Sequence, residues 1–395
     1  MNRARCFVNG VGIANAIGNG REAVRKGLLS GDTSGMILEK GLLPGAPARV
    51  GRVAGNLVPL PDRNAQVDCR NNRLLMLALN EIGACVAATV ERVGPERFGV
   101  VIGTSTTGIA EGETAVAGLL RDGVFPTAFR YAQQEIGSAA PLLARHLGIT
   151  GPAYAISTAC TSSAKAIAAA CRLIRAGICD AVLSGGADAL CRLTVNGFTA
   201  LESTTPELCN PLSRNRRGIN LGEGVALMLI SGEPSAIEVL GCGESSDAHH
   251  ISAPDPEGRG AELAMRAALA DAELEPDAVD YLNLHATATR KNDHMEAHAV
   301  SRVFPRGVPC SGTKPLTGHT LGAAGATEAA FCVLALQGDG RLPPHVWDGE
   351  ADPELPRLLQ ISPGERFRRG SGRICMSNSF AFGGSNATLI LGDAR

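Results

Sequence analysis

Short apolar runs rich in valine and isoleucine alternate along this chain with longer alanine-rich stretches, which predicts strands and helices in turn. RFGVVIGTS at 97–105 and AYAIST at 153–158 read as buried strands. TSSAKAIAAACRLIRAG at 161–177 reads as a helix that Gly177 closes, and DAVLSGGADA at 180–189 as the next strand. Residues 153–187 therefore predict a strand–helix–strand unit.

The same order returns later. A helix is expected at 261–274, a strand at 279–286, a helix at 294–304 and a strand at 308–312. A long helix of small residues follows at 321–339. RICMSNSF and ATLILG then predict paired strands around the loop AFGGSN. The fold class is α/β, in two successive halves, 1–232 and 233–395, joined near the turn-rich SGEPSA at 231–236. The Pro- and Gly-rich pieces at 40–62 and 341–364 read as surface loops.

Composition narrows the function. With 395 residues, 45% hydrophobic and only 4% aromatic, the core must rest on Ala, Val, Leu and Ile. The 48 glycines allow close backbone approach where they cluster. A net charge of −2 gives no bulk reason for binding nucleic acid or a membrane. No run approaches the roughly 18 apolar residues of a membrane span, and the N-terminus lacks the pattern of a secretory signal. The 12 cysteines are scattered without CxxC or CxxH spacing, so they read as reduced thiols in a cytoplasmic protein, with no metal site.

Four segments carry candidate chemistry. Cys160, in STACTSSA, lies between a predicted strand and the N-terminus of a helix, whose partial positive charge favours a thiolate. It reads as a nucleophile or as a buried structural cysteine, and local sequence leaves both open. His285 closes a strand, where α/β active sites collect, or is a satisfied histidine in a turn. Lys314 and His319 lie on a Gly-punctuated loop that enters the small-residue helix. FAFGGSN at 380–386 offers a backbone N–H to an oxyanion, or is only a tight turn.

STACTSSA, LHATATRKND, GTKPLTGHTLGAAGATEA and SNSFAFGGSNA together stand in the order and spacing of the β-ketoacyl-acyl-carrier-protein synthases. The chain resembles that family over essentially its whole length, in the elongating Cys-His-His form. A GVG segment near the N-terminus and NLGEGVAL at 220–227 add to the match. The resemblance implies a thiolase fold, two duplicated halves with five-stranded mixed sheets in α-β-α-β-α layers. It implies an acyltransferase that takes an acyl group on Cys160 and condenses it with a decarboxylated malonyl thioester. His285 and His319 would donate to the malonyl carbonyl, with Lys314 and Glu328 as a supporting network. Phe382 would gate the pocket and form the oxyanion hole with Cys160, while Ser252, Thr287 and Thr289 would line the pantetheine channel.

No cofactor is implied beyond the 4′-phosphopantetheine that the acyl carrier protein brings. The implied partners are acyl- and malonyl-loaded carrier protein and a second synthase subunit, identical or not. Arg70, Arg73, Arg121, Arg130, Arg214 and Arg217 are candidates for docking an acidic carrier.

Ala286 and Ala381 stand where the family has glycine, and PLSRNRRG at 211–218 departs from its PFDxxRDG-like segment. These changes, with GTSTTGIAEGE at 103–113 and DCRNNRLL at 68–75, look more like synthases of specialised pathways such as aryl polyene formation. A non-catalytic chain-length-factor-like subunit is the alternative, although such subunits usually lose the nucleophile. A degradative thiolase would need a second cysteine in the C-terminal loop, which has none. His294 and His298 flank Glu296 without forming HExxH, and read as a solvated helix face.

Overall fold

The computed structural model describes residues 4–394. Ten strands form two sets of five. The first set is β1 (Phe7–Asn15), β2 (Phe98–Gly103), β3 (Ala153–Ile156), β4 (Ala181–Asp188) and β5 (Gly224–Ser231). The second is β6 (Ile237–Ser246), β7 (Tyr281–Leu284), β8 (Pro309–Gly312), β9 (Ile374–Ala381) and β10 (Ser385–Asp393).

Their spatial orders are β1-β5-β4-β2-β3 and β6-β10-β9-β7-β8, the same permutation in each half. The directions match too. β2 runs parallel to β3 and β4, as β7 does to β8 and β9, while the remaining neighbours are antiparallel. The two sets are not separate sheets: β1 pairs with β6 through Phe7 and Glu238, making one continuous twelve-stranded sheet with two short additions.

The predicted 153–187 unit has its helix, but its strands are not neighbours, because β2 lies between β3 and β4. The helices predicted at 261–274 and 294–304 run over Arg259–Asp271 and Arg290–Val303. The predicted strands up to residue 312 are shortened by a residue or more at one or both ends, RICMSNSF is shifted by one residue, and β10 extends beyond the predicted ATLILG at both ends.

Two alanine-rich helices occupy the middle layer, Ser162–Arg175 (α1) after β3 and Ala324–Leu336 (α2) after β8. Every residue of α2 is buried, as expected of a helix with no polar face. One apolar cluster joins Ala166 and Ile167 of α1 and Phe331 of α2 to Val182 and Met228 of one half and Tyr281 and Leu389 of the other. A second cluster packs Leu74, Leu79 and Val86 on the first half's outer face, and a third packs Met265, Met295 and Val300 on the second's. The result is five layers, the thiolase arrangement. The helix Arg70–Val93 has the length and apolar content of a membrane span, yet it seats Leu74, Ala78 and Ile82 on the sheet.

The stretch 40–62 departs from the expected surface loop. Ala48–Gly51 is a buried strand between Met36–Glu39 and Leu221–Gly222. This small sheet supports the loop that leads to His319: a Cβ on Gly51 or on Gly222 would stand 2.0 Å from the Thr317 carbonyl oxygen.

The two central helices meet where no spare carbon fits. A Cβ on Gly325 would lie 2.6 Å from the Cβ of Ala164 and 2.7 Å from its nitrogen. Gly325→Leu is therefore expected to lower the unfolding free energy by roughly 1–3 kcal/mol through overpacking, measurable by denaturant titration.

Candidate active site

Cys160 stands in the turn between β3 and α1, with Ala159 before it in the left-handed region at φ 52°. Side chains brace this turn. The Thr158 N–H donates to Ser162 Oγ at 2.9 Å, Ser162 Oγ donates to the Ala159 carbonyl at 2.6 Å, and Thr161 Oγ1 donates to the Thr158 carbonyl at 2.8 Å. Cys160 is only 6% exposed.

His319 occupies the corresponding position in the second half, between β8 and α2. Its N–H donates to the Asn220 carbonyl at 2.7 Å, and its own carbonyl accepts from Gly222 N–H at 3.0 Å. The imidazole Nε2 lies 3.0 Å from Cys160 Sγ. His285, just past β7, sets its ring edge-on to His319 with centroids 5.2 Å apart and planes at 83°. One ligand-type atom from each of these three side chains lies within 4.8 Å of the other two. The sequence-predicted trio is thus assembled.

Lys314 closes the network from behind. Its ammonium donates to Glu328 Oε1 at 2.6 Å and to the His285 carbonyl oxygen, and lies 3.4 Å from His285 Nδ1. An ammionium cannot accept, so His285 Nδ1 is the acceptor and the imidazole proton sits on Nε2. A thiol and two imidazoles also make a plausible zinc donor set, but a buried ammonium this close opposes a divalent ion.

Desolvation dominates the electrostatics. It holds the pKa of both His285 and His319 well below the ordinary value, and the Lys314 charge lowers them further. Burial also pushes the Cys160 thiol up to about 12, with Lys314 only partly opposing it. The thiolate expected from the helix N-terminus is therefore not the resting form. The resting pair is a neutral thiol beside a neutral imidazole.

The His285 loop is strained. Ala286 and Ala288 have φ of 37° and 63°, each costing about 1–2 kcal/mol for a residue with a Cβ. Two buried carboxylates of the helix Arg290–Val303 hold it. Glu296 accepts from the N–H groups of His285 and Ala286 at 2.8 and 2.7 Å, and Asp293 accepts from those of Ala288 and Leu212 at 3.1 and 2.8 Å. Burial raises the Glu296 pKa to about 7. The sequence reading placed Glu296 on a solvated helix face and did not single out Asp293, whereas both are fully buried; their i, i+3 spacing right after the HATAT segment is the signal for the pair. Glu296 points inward while His294 is exposed, which removes the helix-face metal grouping. Ala381, the other departure from glycine, is extended at φ −127° and carries no strain.

The three side chains line a cavity of about 540 Å³. Ser252, Thr287, Thr289 and Phe382 line it, and Thr287 and Thr289 share a hydroxyl contact at 2.9 Å. Phe198, unforeseen, packs on Phe382 with ring centroids 5.3 Å apart. Lys314 and Glu328 do not line it.

Of the six candidate arginines, only Arg217 lines this cavity, where Arg290 and Lys291 join it. Arg70 is tied to buried Glu223 at 2.5 Å, Arg73 to Asp68 at 2.7 Å, Arg121 to Asp122 at 2.7 Å and Arg214 to Glu350 at 2.7 Å. Arg130 donates to the Phe129 carbonyl at 2.8 Å.

Lowered imidazole pKa values fix a sign. Below about pH 6.5 the unfolded chain takes up protons that folded His285 and His319 refuse. Their stabilising contribution is complete above that pH and is lost as pH falls toward the folded values. In a histidine-labelled NMR titration, both rings are expected to stay neutral from about pH 8 to about pH 6, with no midpoint near 6.5.

The Beta-ketoacyl synthase N-terminal domain pattern matches residues 60–236, and its C-terminal domain pattern matches 236–346. Nodulation protein E of Rhizobium meliloti (strain 1021) is 34% identical over 358 residues, 86% of this chain and 87% of that one. The 3-oxoacyl-[acyl-carrier-protein] synthase 2 of Staphylococcus aureus is 34% identical over 313 residues, 75% of this chain and 77% of that one. Among solved structures, a ketosynthase (ApeO) in complex with its chain length factor (ApeC) from Xenorhabdus doucetiae superposes with a TM-score of 0.94. It is 42% identical, covering 99% of this chain and 98% of that one. With both halves duplicated in topology and Cys160, His285 and His319 gathered in one cavity, this chain belongs to the β-ketoacyl synthase family.

Proposed function

We propose that this chain loads an acyl group on Cys160 and condenses it with malonyl-loaded acyl carrier protein, lengthening the chain by two carbons. The observation that carries the residue roles is the 3.0 Å contact of Cys160 Sγ with His319 Nε2, with His285 edge-on beside it.

In the first step the sulfur attacks the acyl thioester, its proton passes through His319 to the departing carrier thiol, and an acyl-Cys160 thioester remains. The tetrahedral oxyanion is held by the backbone N–H groups of Cys160 and Phe382. Acylation removes the sulfur's claim on His319 Nε2. Once the single His319 ring proton has moved from Nδ1 to Nε2 by exchange with water, both imidazoles face the malonyl carbonyl oxygen as neutral N–H donors. Carbon dioxide leaves, the two donors stabilise the enolate, and its carbon attacks the acyl group on Cys160. The β-ketoacyl carrier thioester departs and the sulfur regains a proton. Lys314, paired with Glu328, keeps His285 in the tautomer that donates through Nε2.

The phosphopantetheine arm belongs to the carrier, and Ser252, Thr287 and Thr289 suit its amides and hydroxyl. The division into halves at 232/233 follows the restart of the strand order at β6. The twelve free thiols suit the reducing cytoplasm. The likeness to a ketosynthase that is found with a chain length factor favours a specialised pathway, and the departures at Ala286, Ala381 and 211–218 favour one such as aryl polyene formation. A second synthase-like subunit, identical or not, would cover the β3 edge and the exposed Val116, Leu120, Val124 and Phe125.

Incubation with acyl carrier thioester is expected to add one acyl mass at Cys160, and Cys160→Ala to abolish it. His285→Ala is expected to keep this loading but lose about 2.7–4 kcal/mol of barrier stabilisation in condensation, a drop of about 10²–10³-fold. An intact protein that never takes up acyl mass, but supports a second subunit that does, would instead match a chain-length factor. Reversing Arg290 and Lys291 together to Glu is expected to raise KM for the carrier about tenfold at low salt, and less at high salt.

A further inference from the structure

Ala286 is fully buried in the left-handed region, one residue past His285. Opposite it lies Gly312, the last residue of β8, in parallel register with Leu284 of β7. A Cβ on Gly312 would stand 2.6 Å from the Ala286 methyl, closer than real side chains approach. Its next neighbours, Pro211 Cγ at 3.5 Å and His345 Cε1 at 3.7 Å, would leave ordinary contact distances. Gly312 does not adopt a left-handed φ, so its backbone would accept any residue. Glycine is required there by the Ala286 methyl alone.

Neither partner can give way easily. The Gly312 N–H donates to His345 Nδ1 at 3.0 Å, and His345 Nε2 donates to the Pro211 carbonyl at 3.1 Å. On the other side, Glu296 holds the N–H groups of His285 and Ala286. Two residues beyond Gly312 stands Lys314, which donates to the His285 carbonyl. The contact therefore lies between the segment that delivers His285 and the segment that delivers Lys314.

We propose that Ala286 and Gly312 form a matched pair, the methyl of one seated on the bare Cα of the other, and that this contact positions His285 for malonyl decarboxylation. The proposal rests on reading His285 as an enolate donor. The methyl that departs from the family's glycine is thus a positioning element, and the strain it brings is held by the surrounding hydrogen bonds.

The test compares Gly312→Ala, Ala286→Gly and the double variant in the full-length protein. Each is measured for acyl loading of Cys160, for malonyl carrier decarboxylation and for thermal unfolding. Gly312→Ala should load acyl within about twofold of the parent but decarboxylate at least about tenfold more slowly, as expected for two groups in direct contact. Ala286→Gly should load normally and decarboxylate about threefold more slowly, and the double variant should match it rather than Gly312→Ala. Should Gly312→Ala fail to fold, recovery of folding and decarboxylation in the double variant supports the pair equally. The pair is refuted by parental decarboxylation in Gly312→Ala or Ala286→Gly, or by a double variant no better than Gly312→Ala in folding or rate. Failure of the parent to load acyl groups would count against the condensing reading instead.

Discussion

The contact between α1 and α2 at Ala164 and Gly325 governs the geometry of this protein. Cys160 precedes one helix and His319 precedes the other, so the spacing of the helices sets the spacing of sulfur and imidazole. Both helices are made of small residues because they are sandwiched between two layers of sheet and must approach each other closely. The repeated strand order places the two helices at equivalent positions, and this equivalence makes the encounter of two residues 159 positions apart reproducible.

Burial then decides the protonation states. Taken out of water, the thiol and both imidazoles stay neutral, and a buried charge pair, Lys314 with Glu328, sits behind them. Neutral imidazoles suit a developing enolate, because they donate hydrogen bonds without first surrendering a full charge to solvent. The same burial means that the helix N-terminus does not ionise Cys160 at rest. In the proposed loading step the thiol proton moves as the sulfur attacks, and His319 Nε2, 3.0 Å away, is the group placed to take it.

The His285 loop shows how such a site is held. Two residues in unfavourable φ are kept there by two buried carboxylates, a lysine and a close methyl contact. Strain of this kind survives only where neighbours over-determine the conformation. The cavity mouth is built differently. Arg217, Arg290 and Lys291 gather around it without a deep internal network, consistent with a surface that meets and releases a partner.

Much of this was legible in the linear sequence. The alternation of β-rich and alanine-rich segments fixed the class, and their recurrence after about residue 236 foretold the duplication. Cys160, His285 and His319 stood out because their flanking glycines and small residues mark strand ends and helix starts. Tertiary structure alone decided the rest. That β2 intervenes between β3 and β4, and that β1 joins β6, depends on hydrogen bonds between distant segments, which local periodicity does not encode. Arg70 reads as free for docking in the sequence, whereas Glu223, 153 residues away, holds it. Ala286 and Ala381 looked alike, yet one is strained and the other extended, because only the surrounding contacts determine which backbone must turn left-handed. Local propensity names the elements and their chemistry, whereas partners, protonation and strain arise from burial among residues far apart along the chain.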